Sequence, residues 1–283
     1  MNKFYIQIVL FLLSVSVYLN DKAHAADPEL VEAMPPKEED QCLTPEEVFV
    51  NHQHLLCTNS EETRGARELM GEAIKHIEEH AANTDGYKFC HTKLHYRMIP
   101  YKKKLENKTN MIKVNFRVHE LDEYYDIIYN IWDPDGEQIF NFGAIKIARV
   151  YDPSLVMIQQ RYEKKLLSRQ KYFYALVKRA RISENKTIIV MTTPNVNDHN
   201  PSKKKYKNKI IENANLFKPE IDSEEDIRKG KLEKVVVNLA GYIIENNGRY
   251  INVTYFESLR NIKIFMLIKR FISIHDDWFN LPS

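Results

Sequence analysis

Between residues 61 and 81 apolar side chains return every third or fourth position, at Ala66, Leu69, Met70, Ala73, Ile74, Ile77 and Ala81, with Glu, Arg and Lys on the other side. That spacing predicts a long helix with one face packed on an apolar surface. A second helix is predicted over 121–132, where Tyr124, Tyr125, Ile127, Ile128 and Ile131 cluster. It stops at Asp133-Pro134, because a residue before proline is pushed out of the helical region. Ahead of both, Thr44-Pro45-Glu46-Glu47 carries a helix start: Thr44 as N-cap, Pro45 in the first position and Glu47 closing a capping box.

From Ile145 to Phe256 the period becomes two, which predicts strands over 145–150, 155–162, 171–179, 186–193, 232–245 and 249–257. Asn247-Gly248 is the residue pair that closes a two-residue hairpin. Strands of about 8 to 12 residues span roughly 25 to 40 Å, enough for a sheet to curl around a long ligand. Ile262, Phe265, Ile268, Phe271 and Ile272 then return to helical spacing, interleaved with Lys263, Lys269 and Arg270. Helix, strands, helix, antiparallel strands and a final helix describe an α+β domain in which a sheet grips a C-terminal helix.

The ends and the cysteines bear on compartment. Lys3, the apolar stretch 4–19 and Ala23-His24-Ala25 predict a signal peptide over 1–25, since the stretch is short of the roughly 20 apolar residues of a spanning helix. Residues 26–41, rich in Pro, Glu, Asp and Lys, have little to bury and read as a flexible spacer before a domain over 42–283. In an oxidising lumen the 3 cysteines, Cys42, Cys57 and Cys90, are expected to give one bridge and one thiol. Cys57–Cys90 is the favoured pair, and spacing leaves Cys42–Cys57 and no pairing open. Lys and Arg number 41 against 39 Asp and Glu, so the chain has no bulk attraction for nucleic acid.

Catalytic signals are sparse. His76-Ile77-Glu78-Glu79-His80 matches an arrangement that puts two zinc ligands and a base on one helix face. Ile77, however, sits in the middle of the apolar stripe and no third ligand follows downstream, so packing accounts for the spacing and His76 and His80 are weak metal candidates, with a zinc hydrolase using His76, Glu79 and His80 the minor alternative. No Gly-rich phosphate loop or nucleophile elbow occurs. Residues 203–209 form a lysine-rich run, which reads as a solvated loop or a contact for an anionic membrane, and an acidic stretch follows at 220–226.

Several segments together carry a resemblance: His54-Leu55-Leu56-Cys57-Thr58-Asn59, Asn130-Ile131-Trp132-Asp133-Pro134-Asp135, Val156-Met157-Ile158-Gln159-Gln160-Arg161-Tyr162, Gln170-Lys171-Tyr172-Phe173-Tyr174-Ala175, Thr187-Ile188-Ile189-Val190-Met191-Thr192, Asn197-Asp198-His199-Asn200-Pro201-Ser202 and Glu212-Asn213-Ala214-Asn215-Leu216-Phe217. In these the chain resembles the fam-a multigene family of rodent malaria parasites, whose members carry a START-like domain. The resemblance implies a helix-grip fold with a lipid tunnel under the C-terminal helix. It also implies binding of a phospholipid, in particular phosphatidylcholine, and its transfer between parasite and host membranes by a secreted or exported protein that is not an enzyme.

A lipid carrier needs an apolar cavity with a few polar groups at one end, because each buried methylene is worth about 0.8 kcal/mol while the headgroup must keep its hydrogen bonds. Met157, Ile158, Tyr162, Tyr172, Tyr174 and Met191 are expected to line its walls, with Trp132 in the core or at the tunnel. Arg149, Arg161 and Arg169 are candidates to meet a phosphate, the solvated face of the sheet being the alternative for each. The expectation is a monomer without cofactor that touches membranes transiently. The second function class kept open is an antigenic or interaction protein that has the fold without the transfer.

Overall fold

Thr44 does cap a helix: its hydroxyl accepts from the Glu47 amide over 3.3 Å, and Glu47 Oε2 accepts the Thr44 amide over 2.8 Å. That reciprocal bond starts α1 (Pro45–Asn51). The structure, a computed structural model, describes residues 43–90, 99–105, 109–134, 143–164, 168–202 and 207–260, all within the unit Cys42–Ser283. The predicted signal peptide, spacer and C-terminal helix lie outside the described residues, as do Cys42 and residues 203–206 of the lysine run.

Asn59 caps α2 (Ser60–Ala82), its side-chain oxygen accepting the Glu62 amide over 3.0 Å. Ala66, Leu69, Met70, Ala73 and Ile77 are the residues α2 buries, which are the stripe expected from the spacing. After the short strands β1 (Tyr87–Phe89), β2 (Ile99–Lys104) and β3 (Asn110–Val118), one 3-10 turn over Leu121–Glu123 leads into α3 (Tyr124–Trp132). Then come β4 (Ile145–Asp152), β5 (Leu155–Arg161), β6 (Lys171–Ser183) and β7 (Lys186–Thr192). A long connection holds a 3-10 turn over Glu212–Asn215 and the single-turn α4 (Glu225–Arg228). It ends in β8 (Glu233–Lys234), β9 (Val236–Asn246) and β10 (Ile251–Arg260).

The strands make one sheet in the order β1-β2-β3-β10-β9-β7-β6-β5-β4, antiparallel except where β8 runs parallel beside β6. The last strand therefore joins the first three to the central meander. The β9–β10 turn differs from the expectation in its register. The ladder ends at Ile251 and Asn246, the Asn247 amide still donates to the Tyr250 carbonyl over 3.3 Å, and the side-chain oxygen of Asn247 accepts the amides of Arg249 and Tyr250, so the tip is Gly248-Arg249, one place on from the expected pair.

Each face of the sheet has its own apolar layer. On the outer face α2 packs against Leu155, Met157, Tyr172, Tyr174, Leu176, Ile188 and Val190, joined by Val196, Ile211, Ile221 and Ile227 of the long connection. Gly241 permits this contact. Its φ is 156° and a Cβ there would stand 2.3 Å from the Ile189 carbonyl oxygen and 3.1 Å from Ile77 Cδ1. The inner face carries Val114, Phe116, Val156, Ile158, Phe173, Val177, Met191, Tyr242 and Tyr255, with Val48 of α1 and Ile127, Ile128, Ile131 and Trp132 of α3 packed on part of it.

Candidate functional site

Strand alternation divides the residues expected to line one cavity. On β5, Met157 and Ile158 are neighbours and so point to opposite faces. Ile158, Met191 and Trp132 lie in the inner layer, with Tyr162 packed against it and its ring 6.0 Å from that of Phe173. Met157, Tyr172 and Tyr174 lie in the outer layer under α2 and cannot share that wall. Their hydroxyls are engaged there: Tyr172 donates to Asp198 over 2.8 Å, and Gln159 donates to Tyr174 over 2.5 Å.

The arginines are also accounted for by the outer layer. Arg149 pairs with Glu62 of α2 at 2.5 Å and donates to the Glu220 carbonyl. Arg161 grips both oxygens of Asp226 at 2.6 and 2.9 Å and reaches Glu224 at 3.2 Å. The acidic stretch is thus latched onto β5, and the bond from Arg161 holds the Asp226 carboxyl below its ordinary range. Burial works to raise the pKa of Glu224, yet bonds from Lys146 and Gln159 bring it down to about 2. Arg169 is exposed between β5 and β6. These positions replace the expected phosphate clamp with a structural one. An arginine that does lie toward the inner layer is Arg179, whose guanidinium stands 5.8 Å from the Trp132 ring.

His76 and His80 are engaged with neighbours on and beside α2. His76 stands 3.6 Å from Glu72 and 3.3 Å from Glu79, His80 Nδ1 is 3.3 Å from the Tyr87 hydroxyl, and among the described residues no group of three or more His, Cys, Asp or Glu could hold an ion. Cys57 and Cys90 are both free. The favoured bridge fails on position: the Cys57 amide bonds to Val150 of β4 and the Cys90 amide to Pro100 of β2, near opposite ends of the strand order.

Paired positions trace a line of inner-face side chains across the sheet. Val156 of β5 stands opposite Val177 of β6, Val177 opposite Met191 of β7, Met191 opposite Ala240 of β9, and Ala240 opposite Glu257 of β10. At its apolar end Val156, Val177 and Met191 help line a cleft with Val48, Ile131 and Ile147, whose free volume is about 20 Å³. A larger cavity of about 500 Å³ lies in the polar connection outside the sheet, among Asn195, Asn208, Asn215 and Lys234, and most of those amides are spent on holding the connection itself.

The other end of the line is polar. Glu257 is 4% exposed, and its Oε2 accepts the Tyr255 hydroxyl over 2.8 Å. Oε1 has no hydrogen-bond partner. Burial pushes the Glu257 carboxyl up to about 8 against the opposing effect of the Tyr255 bond. Burial and the nearness of Glu257 raise the hydroxyls of Tyr162, Tyr242 and Tyr255 in turn. Sequence reading passed over Glu257, although alternation along Val253, Tyr255, Glu257 and Leu259 sets it on the apolar side of its strand.

The fold itself is also found among solved proteins. Human StAR-related lipid transfer protein 5 matches with a TM-score of 0.50 at 12% sequence identity, over 76% of this chain and 92% of that one. The fold is START-like. Human STARD10 is similar over 72% of this chain and 74% of its own, at 11% identity and a TM-score of 0.47. At such identities the likeness is one of fold. No protein-family model matches the chain, and no curated protein matches it by sequence.

Proposed function

We propose that this START-like chain binds a phospholipid of the phosphatidylcholine type on the inner face of its sheet and carries it between membranes, as a secreted or exported protein of the fam-a kind. No covalent chemistry is involved. The observation that carries this reading is the line from Val156 to Glu257, where apolar side chains lead to a buried carboxyl. Acyl chains would gain from the first and a polar lipid oxygen from the second. The structural neighbour with the better superposition is itself named a lipid transfer protein, which favours the same reading.

The test is transfer of fluorescent phosphatidylcholine between donor and acceptor vesicles by the full-length protein. Saturable transfer supports the proposal. Absence of transfer together with absence of co-purifying lipid from a folded sample sinks it. A second reading, an interaction or antigenic protein that keeps the fold without carrying lipid, draws on the small volume of the cleft among the described residues. A folded protein that takes up no lipid would favour it.

A further inference from the structure

An ionised carboxylate in an apolar interior needs a cation or several donors, and without them the group keeps its proton. Glu257 is fully buried and has one donor, the Tyr255 hydroxyl. Among the described residues, the titratable groups that bear on it are Tyr162 beyond β5, Tyr242 of β9 and Tyr255 of its own strand, and none of them is a cation. Its partners across the pairing are Ala240 and Ile112. Lys113 belongs to the same stretch of β3 but packs on the other side, where its ammonium donates to the Ala81 carbonyl over 3.0 Å. Arg149 and Arg161 are committed to the outer layer.

The position of the proton follows from the hydrogen bond. Oε2 is the acceptor for Tyr255, so the carboxylic acid carries its proton on Oε1, the oxygen that finds no partner in the protein. A buried donor of this kind is costly if it is left without an acceptor. Next to it on the line stands Ala240, the smallest side chain there, and beyond it the apolar cleft.

We infer that Glu257, as an uncharged carboxylic acid, donates a hydrogen bond to an uncharged oxygen of the bound lipid, an ester carbonyl or a hydroxyl, and so fixes the depth at which the lipid sits. This rests on the lipid-carrier reading and adds to it a chemical selection. A lipid of net negative charge would bring an anion to a carboxyl that has no cation beside it among the described residues, and is disfavoured at this pole. No proton is transferred and no bond is broken.

The experiment measures binding of dioleoyl-phosphatidylcholine, its ether-linked counterpart and cholesterol to the full-length protein between about pH 6 and pH 10, for wild type, Glu257→Gln and Glu257→Leu. Wild-type affinity should be level up to about pH 8 and fall by roughly tenfold per pH unit above it, as the donor is lost. Glu257→Gln keeps a donor in the same place and should bind with the pH dependence gone. Glu257→Leu should bind roughly tenfold more weakly at neutral pH, the size of one buried hydrogen bond. A loss confined to the ether lipid identifies the ester carbonyl, whereas sensitivity of cholesterol binding to Glu257→Leu identifies a hydroxyl. If wild type takes up none of the lipids, the carrier reading falls and the anchor with it. If lipid binds and Glu257→Gln keeps the pH dependence, or Glu257→Leu binds as wild type does, the anchor alone is overturned. Should Glu257→Leu not fold, the pH profile of Glu257→Gln decides.

Discussion

Tyr255 donates its hydroxyl to Oε2 of Glu257 over 2.8 Å, two positions along β10, with both side chains buried on the inner face of the sheet. This bond is too little to hold a charge there, and the consequence is measurable without any lipid. Burial pushes the carboxyl from its ordinary value of 4.5 up to about 8 in the folded chain. Between those values the unfolded state has given up its proton and the folded state has not, so stability falls as pH rises through that window and levels off above it. The unfolding free energy from urea titrations across the window should drop for wild type by an amount on the order of a few kcal/mol and change less in Glu257→Gln. Equal slopes for the two proteins would place the titration elsewhere.

The latch of the acidic stretch titrates in the opposite sense. Asp226 and Glu224 have depressed pKa values, so their contribution is present above the ordinary carboxylate range and is lost as pH falls toward about 2. Arg161→Ala should lower stability by about 1 kcal/mol, discounted because these groups are partly exposed. Lipid transfer should persist in that variant, because Arg161 lies on the outer face. Loss of transfer without loss of stability would return Arg161 to the binding site.

Gly241→Ala should be the most damaging small substitution in the sheet. The backbone there is in a region that disfavours a side chain, and the added carbon would meet the Ile189 carbonyl oxygen of the paired strand at 2.3 Å. A loss of about 3 kcal/mol or more is expected, seen as a shifted denaturation midpoint or insoluble protein. A soluble variant with an unchanged midpoint would contradict the close approach of β9 and β7.

Ala240→Leu places bulk on the line between Met191 and Glu257. Overpacking costs about 1 to 3 kcal/mol, so the protein should still fold while phosphatidylcholine transfer drops. Transfer at the wild-type rate by the folded variant would mean that lipid does not pass this point.

Peptide mass mapping under non-reducing conditions should find no Cys57–Cys90 linkage, and Cys90→Ser should leave the melting temperature unchanged. A linked peptide would require the two ends of the strand order to approach each other.

The elements themselves were legible where the signal is local. The capping box of α1 lies within Thr44 to Glu47, and the stripe of α2 repeats within a few turns, so neighbours in sequence are neighbours in space. The long strands from β4 onward showed their period of two, and their predicted limits differ from the observed ones by a few residues. The β9–β10 turn was misread because Asn247 uses its side chain to bond two amides ahead, which the residue pair alone does not announce.

What the chain determined by itself is the alternation of its strands and the stripes of its helices, since both follow from backbone geometry over a few residues. Which face each strand turned toward α2 was decided only by the tertiary structure. Residues from Leu155 to Gln160 are all buried, so no polar side marks an outside, and Met157 and Ile158 could be told apart only once β5 was sandwiched between two layers. The roles of the arginines were decided in the same way. Glu62 lies 87 residues from Arg149, and Asp226 lies 65 from Arg161. A charge pair at such separation exists only after the sheet has formed and the long connection has folded back across it. Glu257 is the clearest case, because a glutamate is read as exposed until the fold removes water from it and leaves its carboxyl facing an apolar interior.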